Sequence, residues 1–384
     1  MIVTSCTQRE TDIGRNALQS APEDTFLVIQ GVGTVGTEWA PNISNGRGSS
    51  LQVGEAGGFS AFFAMRFDPL EVVPESSRVE NMVVYLTRNR IWPEEGAPEL
   101  RVTVREIGER WIEDSLLAGY LPGRGTYPII DSLLLLANED TLIIPVPESL
   151  WSRWLAGDST TWGLLVEPRS PGVLVDFYSS EKFDTSGSQG PSLEIRGWKP
   201  PTDSIGSDTV LLVKQVAEHD AYLAVESETV EPGRLALSQG RSQRGAMYFP
   251  LDSIAEINFA RVVNHAELYL YADTAHSANL LYANVGLLYK DGTMANRDWI
   301  TNPDSARAGL VATSSSSFNA DNTVITFDVS STVAYWVANP DSNTGFQVLT
   351  SEESGHLTRQ VFHNCASEIE NLRPRLVLWL TEQQ

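Results

Sequence analysis

Short apolar or alternating runs, separated by clusters of Gly, Pro, Asn and Asp, dominate this chain. Leu51 to Val53, Phe62 to Phe67, Asn81 to Leu86, Leu100 to Val104, Thr141 to Val146, Gly163 to Val166 and Leu193 to Ile195 are each the length of a strand or less. The rhythm returns in Leu235 to Leu237, Ala246 to Phe249, Ala266 to Tyr271, Thr323 to Val329, Phe346 to Leu349 and Arg375 to Leu380. Helical periodicity is confined to one or two turns around Glu148 to Leu155 and Ser330 to Ala338. Many short strands with frequent turns predict an all-β fold built from jelly-roll-like β-sandwiches.

The pattern is also duplicated. Ala64-Met65-Arg66-Phe67 recurs as Ala246-Met247-Tyr248-Phe249, and Val84-Tyr85-Leu86 as Leu268-Tyr269-Leu270. Trp154 pairs with Trp336, Ser180-Glu181 with Ser367-Glu368, and Pro191-Ser192-Leu193 with Pro374-Arg375-Leu376. These anchors keep their order at offsets of 182 to 187 residues, so the chain reads as two tandem copies of one domain. The expected division is a tether over 1–24, a first sandwich over 25–198, a linker over 199–208 (KPPTDSIGSD) and a second sandwich over 209–384.

With those anchors in view, the second copy resembles the DNRLRE-type β-sandwich family. It carries FDVSSTVAYWVANPDSNTG, then a serine-glutamate pair at Ser367-Glu368, and closes on Arg373-Pro374-Arg375-Leu376. The first copy carries a weaker version, with Gly190 where the family's arginine would stand, the opening Asn45-Gly46 followed by Leu51-Gln52-Val53-Gly54, and Trp111-Ile112-Glu113-Asp114. The resemblance implies a non-catalytic module of exported, surface-attached proteins, related to carbohydrate-binding modules for acidic polysaccharides. Motifs of this kind mark a fold more than a ligand.

Charge narrows the partners. The 27 Lys+Arg stand against 49 Asp+Glu, a net charge of −22, which disfavours nucleic acid and fits the solubility coat of an exported protein. Val3-Thr4-Ser5-Cys6 resembles the end of a bacterial lipoprotein signal, which makes Cys6 the candidate lipid anchor and 7–24 its polar tether, although only Met1 and Ile2 precede it. The expected location is the cell surface or outer membrane through that lipid, otherwise the extracellular space. Two cysteines, Cys6 and Cys365, make no disulfide framework, and five histidines leave little for zinc.

Several motifs suggest chemistry. Gly31-Val32-Gly33-Thr34-Val35-Gly36 matches a dinucleotide fingerprint, yet Pro41, Gly46 and Gly48 follow where that fingerprint requires a helix. Ser179-Ser180-Glu181-Lys182 matches S-x-x-K, but with the Ser-Glu pairs aligned, Ala366 and Ile369 stand opposite Ser179 and Lys182. The same alignment sets Cys365 against Tyr178, at a packed position. All five histidines fall in the second copy, so no triad is shared. Asp158 and Asp341 occupy matched turns rich in oxygen ligands, where calcium could bind, although no cofactor is required. Trp154 and Trp336 read as core. Trp39, Trp92, Tyr120 and Tyr127, in Pro/Gly-rich loops, are the candidates for stacking on sugar rings.

The leading expectation is a non-catalytic cell-surface protein that binds polysaccharide or extracellular matrix, or serves structural adhesion. One alternative is a polysaccharide hydrolase or lyase with carboxylates at the interdomain cleft. Another is a subunit of a surface filament or surface layer.

Overall fold

The structure, a computed structural model, describes residues 25–31, 33–38, 46, 48–67, 73–74, 76–93, 95–113, 121, 123–158, 161–184, 187–201, 208–226, 231–240, 243–251, 254, 261–275, 277, 285–290, 310–313, 316–318, 323–343, 345–350 and 357–382. The first half of the chain forms β1 (Thr25–Gln30), β2 (Gly33–Glu38), β3 (Ser50–Ala56), β4 (Phe59–Arg66), β5 (Arg78–Trp92), β6 (Leu100–Glu106) and β7 (Ile129–Leu135). It continues with β8 (Thr141–Pro145), helix α1 (Glu148–Leu155), β9 (Leu164–Pro168), β10 (Val173–Tyr178), β11 (Phe183–Asp184), β12 (Gly187–Ser188) and β13 (Ser192–Lys199). The second half forms β14 (Thr209–Val216), β15 (His219–Glu226), β16 (Arg234–Gln239), β17 (Gln243–Tyr248), β18 (Arg261–Tyr271), β19 (Val285–Lys290) and β20 (Leu310–Thr313). It ends with β21 (Ser316–Phe318), β22 (Val324–Asp328), helix α2 (Ser330–Ala338), β23 (Phe346–Thr350), β24 (Thr358–His363) and β25 (Arg375–Glu382).

The fold is all-β and of sandwich type, as the period-two runs predict. Helices α1 and α2 stand where the short helical patterns place them. In α2 the buried Thr332, Val333 and Trp336 share one face, and Trp336 lies 4.7 Å from the Phe346 ring across the core.

The first sandwich sets β14-β13-β5-β8 against a sheet in which β10, β3, β4, β9, β6 and β7 follow one another and β15 flanks β4. The long β5 serves both: residues 78–87 pair with β13 and β8, and 88–92 with β10, so the sheet curls over its own core. Leu193, Ile195, Met82 and Val84 from one side meet Leu51, Val53, Phe63, Val175 and Phe177 from the other. The second sandwich sets β1-β25-β18-β22-β21 against β20-β19-β23-β17-β16-β24, with β2 flanking β17. Its core joins Leu268, Leu270, Leu376 and Leu378 to Met247, Phe249, Phe346 and Val348.

Each sandwich takes two of its strands from the opposite half of the chain. β14 and β15 complete the first sandwich, pairing with β13 over Ser192↔Val216 to Lys199↔Thr209 and with β4 over His219↔Arg66 to Glu226↔Phe59. β1 and β2 complete the second, pairing with β25 over Thr25↔Leu380 to Gln30↔Arg375 and with β17 over Gln243↔Glu38 to Tyr248↔Gly33. The two exchanges match in detail. Ala217 N–H donates to the Pro191 carbonyl at 2.9 Å, and Gly31 N–H donates to that of Pro374 at 3.2 Å. Alternation then sends Leu27 and Ile29 into the second core, and Tyr222 and Ala224 into the first, while Val28 and Val210 face outward.

Candidate functional site

The outer face of β14-β13-β5-β8 carries an exposed tryptophan and several cationic side chains. Directly opposed residues of an antiparallel ladder share a face, so the register fixes its rows. Val216, Ser192, Tyr85 and Ile143 form one row, followed by Lys214, Glu194, Val83 and Pro145. Next come Leu212, Arg196 and Asn81, and then Val210, Trp198 and Arg78. Trp198 is 39 % exposed, Ile143 52 %, Leu212 53 % and Val210 72 %, which is unusual for large apolar groups on neighbouring strands.

Charge on this face is arranged around Glu194. Its carboxylate takes a hydrogen bond from Arg196 Nε and lies 3.3 Å from Lys214 Nζ. Burial alone would raise Glu194, but Arg196 and Lys214 outweigh it and hold the carboxyl below its ordinary range. One carboxylate thus orients two cations, and Arg78 adds a third beside Trp198.

The matching face of the second sandwich keeps part of this design. Tyr269 opposes Arg375 where Tyr85 opposes Ser192, and Trp379 opposes His265 where Arg196 opposes Asn81. Here the groups engage one another. The Arg375 guanidinium sits 5.2 Å from the Tyr269 ring, the Tyr269 hydroxyl donates to Glu267, and His265 Nε2 lies 3.2 Å from the Glu267 carboxylate. The His265 and Trp379 rings are 4.9 Å apart. Burial first, and Glu267 second, push the Tyr269 hydroxyl up to about 12.

A second polar cluster lies where β15 enters the first sandwich. Asp220 is fully buried, and its Oδ2 accepts a 2.8 Å hydrogen bond from Ser180 N–H. Burial, then the neighbouring Glu181 and Glu113 charges, raise its carboxyl well above the ordinary value. His219 Nδ1 lies 3.2 Å from Glu113 Oε2, and its ring packs edge-on to Trp111, whose indole N–H donates to the Trp162 carbonyl at 2.7 Å.

The residues singled out in sequence scatter. Cys6, Trp39 and Tyr120 lie outside the described residues. Trp92, half-buried at the end of β5, packs against the first core. Tyr127 is 8 % exposed in the satellite core under the 107–128 segment, and its hydroxyl donates to Glu109, so its ring offers no open stacking face. Asp158 and Asp341 follow α1 and α2 in matched turns. The Asp158 carbonyl accepts from the Thr161 amide, and Asp341 is exposed in a single 3-10 turn. Among the described residues, no group of three or more His, Cys, Asp or Glu side chains is placed to hold a metal ion.

The glycine fingerprint falls on β2, a strand, where no helix N-terminus could meet a phosphate. Its Gly31 is required for another reason: a Cβ there would lie 2.7 Å from Cys365 Sγ. Hydrogen bonds also reset the alignment at Ser-Glu. Ser179 N–H donates to the Ser49 carbonyl as Asn364 N–H does to that of Gly233, an offset of 185, so Ser179 matches Asn364, and His363, not Cys365, matches Tyr178. The Ser179 hydroxyl is buried and committed to the Gly48 carbonyl at 2.6 Å. Gly190 replaces an arginine because a Cβ would meet the Ser179 carbonyl at 2.5 Å, whereas Arg373 in the second half reaches the Ser367 carbonyl at 2.7 Å.

Comparison with known proteins gives no family. No family model matches the chain, and no curated protein matches it. Among solved structures, the crystal structure of a protein from Eubacterium rectale predicted to be secreted aligns over 85 % of this chain and 70 % of its own at 9 % identity and a TM-score of 0.14. The Macrobrachium rosenbergii nodavirus structure aligns over 100 % and 96 % at 9 % identity and a TM-score of 0.11. At such scores neither likeness bears on fold or function. No helix among the described residues is long and apolar enough to cross a membrane.

Proposed function

We propose that this is a non-catalytic, exported surface protein that binds acidic polysaccharide or matrix through the outer face of β14-β13-β5-β8. The observation that carries this reading is the exposed Trp198 set among Arg78, Arg196 and Lys214 on a chain of net charge −22. An indole face stacks on a sugar ring, while guanidinium groups pair with carboxylate or sulfate substituents in fork geometry. A local cationic patch resolves the conflict between an acidic chain and an acidic ligand, because screening confines charge effects to within about 10 Å at 0.1 M salt. The resemblance to DNRLRE-type modules points the same way.

Affinity electrophoresis on polyuronate and sulfated polysaccharide gels tests the assignment. Retardation of the wild type, weakened by salt and reduced about tenfold or more in Trp198→Ala and Arg196→Gln, is the expected result, equivalent to ~1.4 kcal/mol or more of binding energy. Equal retardation of wild type and both variants would remove this face from the reading. The carboxylates around Asp220 support the hydrolase or lyase alternative less well, because Asp220 is wholly enclosed and cannot reach a glycosidic oxygen. Polysaccharide turnover by the purified protein, lost in Asp220→Asn, would reverse that order.

A further inference from the structure

The exchange of strands is directional. Each half gives its opening strand pair to the other sandwich. β14-β15 is continuous with a sandwich strand on both sides, through 200–208 to β13 and through 227–233 to β16. β1-β2 is continuous with β3 through 39–49. β1-β2 closes the second sandwich along two edges. It forms six register pairs with β25 and six with β17, fills the core with Leu27 and Ile29, and places Gly31 against Cys365 and Phe249. Without residues 25–38, the second sandwich would present two unpaired strand edges and an apolar slot between them, a site for strand addition.

We infer that residues 25–38 of one copy of this chain can complete the second sandwich of another. The donated strands make identical ladders and core contacts in either chain, so the exchange gives up only the entropy of association. The nine residues between Glu38 and Gly48, whose carbonyl is held by Ser179, can extend over ~30 Å, which leaves a donor room to reach a neighbour. Donor and acceptor are different surfaces of the chain, the β1-β2 pair and the exposed edges of β25 and β17. Mutual donation closes a dimer, and one-way donation continues as a head-to-tail polymer. This assembly is independent of whether the β14-β13-β5-β8 face binds a polysaccharide.

Engineered disulfides distinguish donation within a chain from donation between chains. Val28 and Val377 are direct register partners, and opposed positions of this kind lie within disulfide reach. In a Cys6→Ser, Cys365→Ser background, the doubly substituted Val28→Cys, Val377→Cys chain is expected to cross-link internally and run as a monomer on a non-reducing gel. Chains carrying Val28→Cys alone and Val377→Cys alone are unfolded together, refolded at high concentration and oxidised. A covalent dimer in the mixture, absent when each variant is treated separately, is the expected sign of donation between chains. An internal cross-link in the double variant with only monomer in the mixture would overturn the inference. So would failure of the double variant to cross-link, because β1 would then not occupy the β25 edge.

Discussion

Asp220 shows what a single carboxyl does when its strand is supplied by the far half of the chain. The group is enclosed between β15 and the Ser180 turn, close to the Glu181 and Glu113 charges. Its folded-state pKa lies above its unfolded one, so its contribution to stability is complete below the unfolded value and is lost as pH rises through the raised value. Asp220→Asn keeps an acceptor for the Ser180 amide and removes the charge. Its melting temperature relative to the wild type should therefore climb as pH rises above the ordinary carboxylate value of 3.8, a difference thermal denaturation reads directly; a constant difference would show that the Asp220 carboxyl is not raised. Gly31 acts through space alone. Gly31→Ala should destabilise by about 1–3 kcal/mol, because the methyl group must displace Cys365 or Phe249, and Cys365→Ala in the same chain should recover part of the loss in denaturant titrations.

Among elements, the strands with clear sequence signals are those buried on one face within a single sandwich. β8 and β22 alternate cleanly, and α1 and α2 coincide with the two short helical patterns. β1, β2, β14 and β15 escape that reading. β14 is apolar on both faces, with Val210 and Leu212 outward and Leu211 and Val213 inward, and β2 is rich in glycine, so period two is blurred in the strands that the exchange moves. Their weight in the fold is measurable. Ile29→Ala, deep in the second core, should cost about 2–5 kcal/mol in chemical denaturation, whereas Val28→Ala, 41 % exposed on the same strand, should cost well under half of that. Equal losses would mean that β1 is not seated with Leu27 and Ile29 inward.

At the scale of the whole molecule, the exchange ties the two sandwiches together more firmly than the linker between them does. Leu357 sits in the first core, and the Arg359 guanidinium lies 5.9 Å from the Phe59 ring, so the two bodies also touch through side chains. A protease site inserted between Thr202 and Ser207 cuts the chain into halves that each hold two strands of the other's sandwich. The halves should co-elute by size exclusion after cleavage and separate only in denaturant. Separation in native buffer would contradict the pairing of β1 with β25 and β14 with β13.

Fold class, duplication, the positions of α1 and α2 and the burial of Trp336 follow from sequence, because each depends on local periodicity or on recurrence along the chain. The stacking candidates fared differently. Loop composition pointed to Trp92 and Tyr127, which join cores, and gave no hint of Trp198, which sits at the end of a strand and stands outward. Which face of β13 meets solvent depends on the register of β13 with β5 and β14, and one of those partners comes from the other half. Sequence alone determined two similar all-β units of opposite termini. Only the tertiary structure decided which strands close which unit, because equivalent strands in a duplicated chain carry nearly the same pattern, and long-range pairing, not local preference, assigns them to one sandwich or the other.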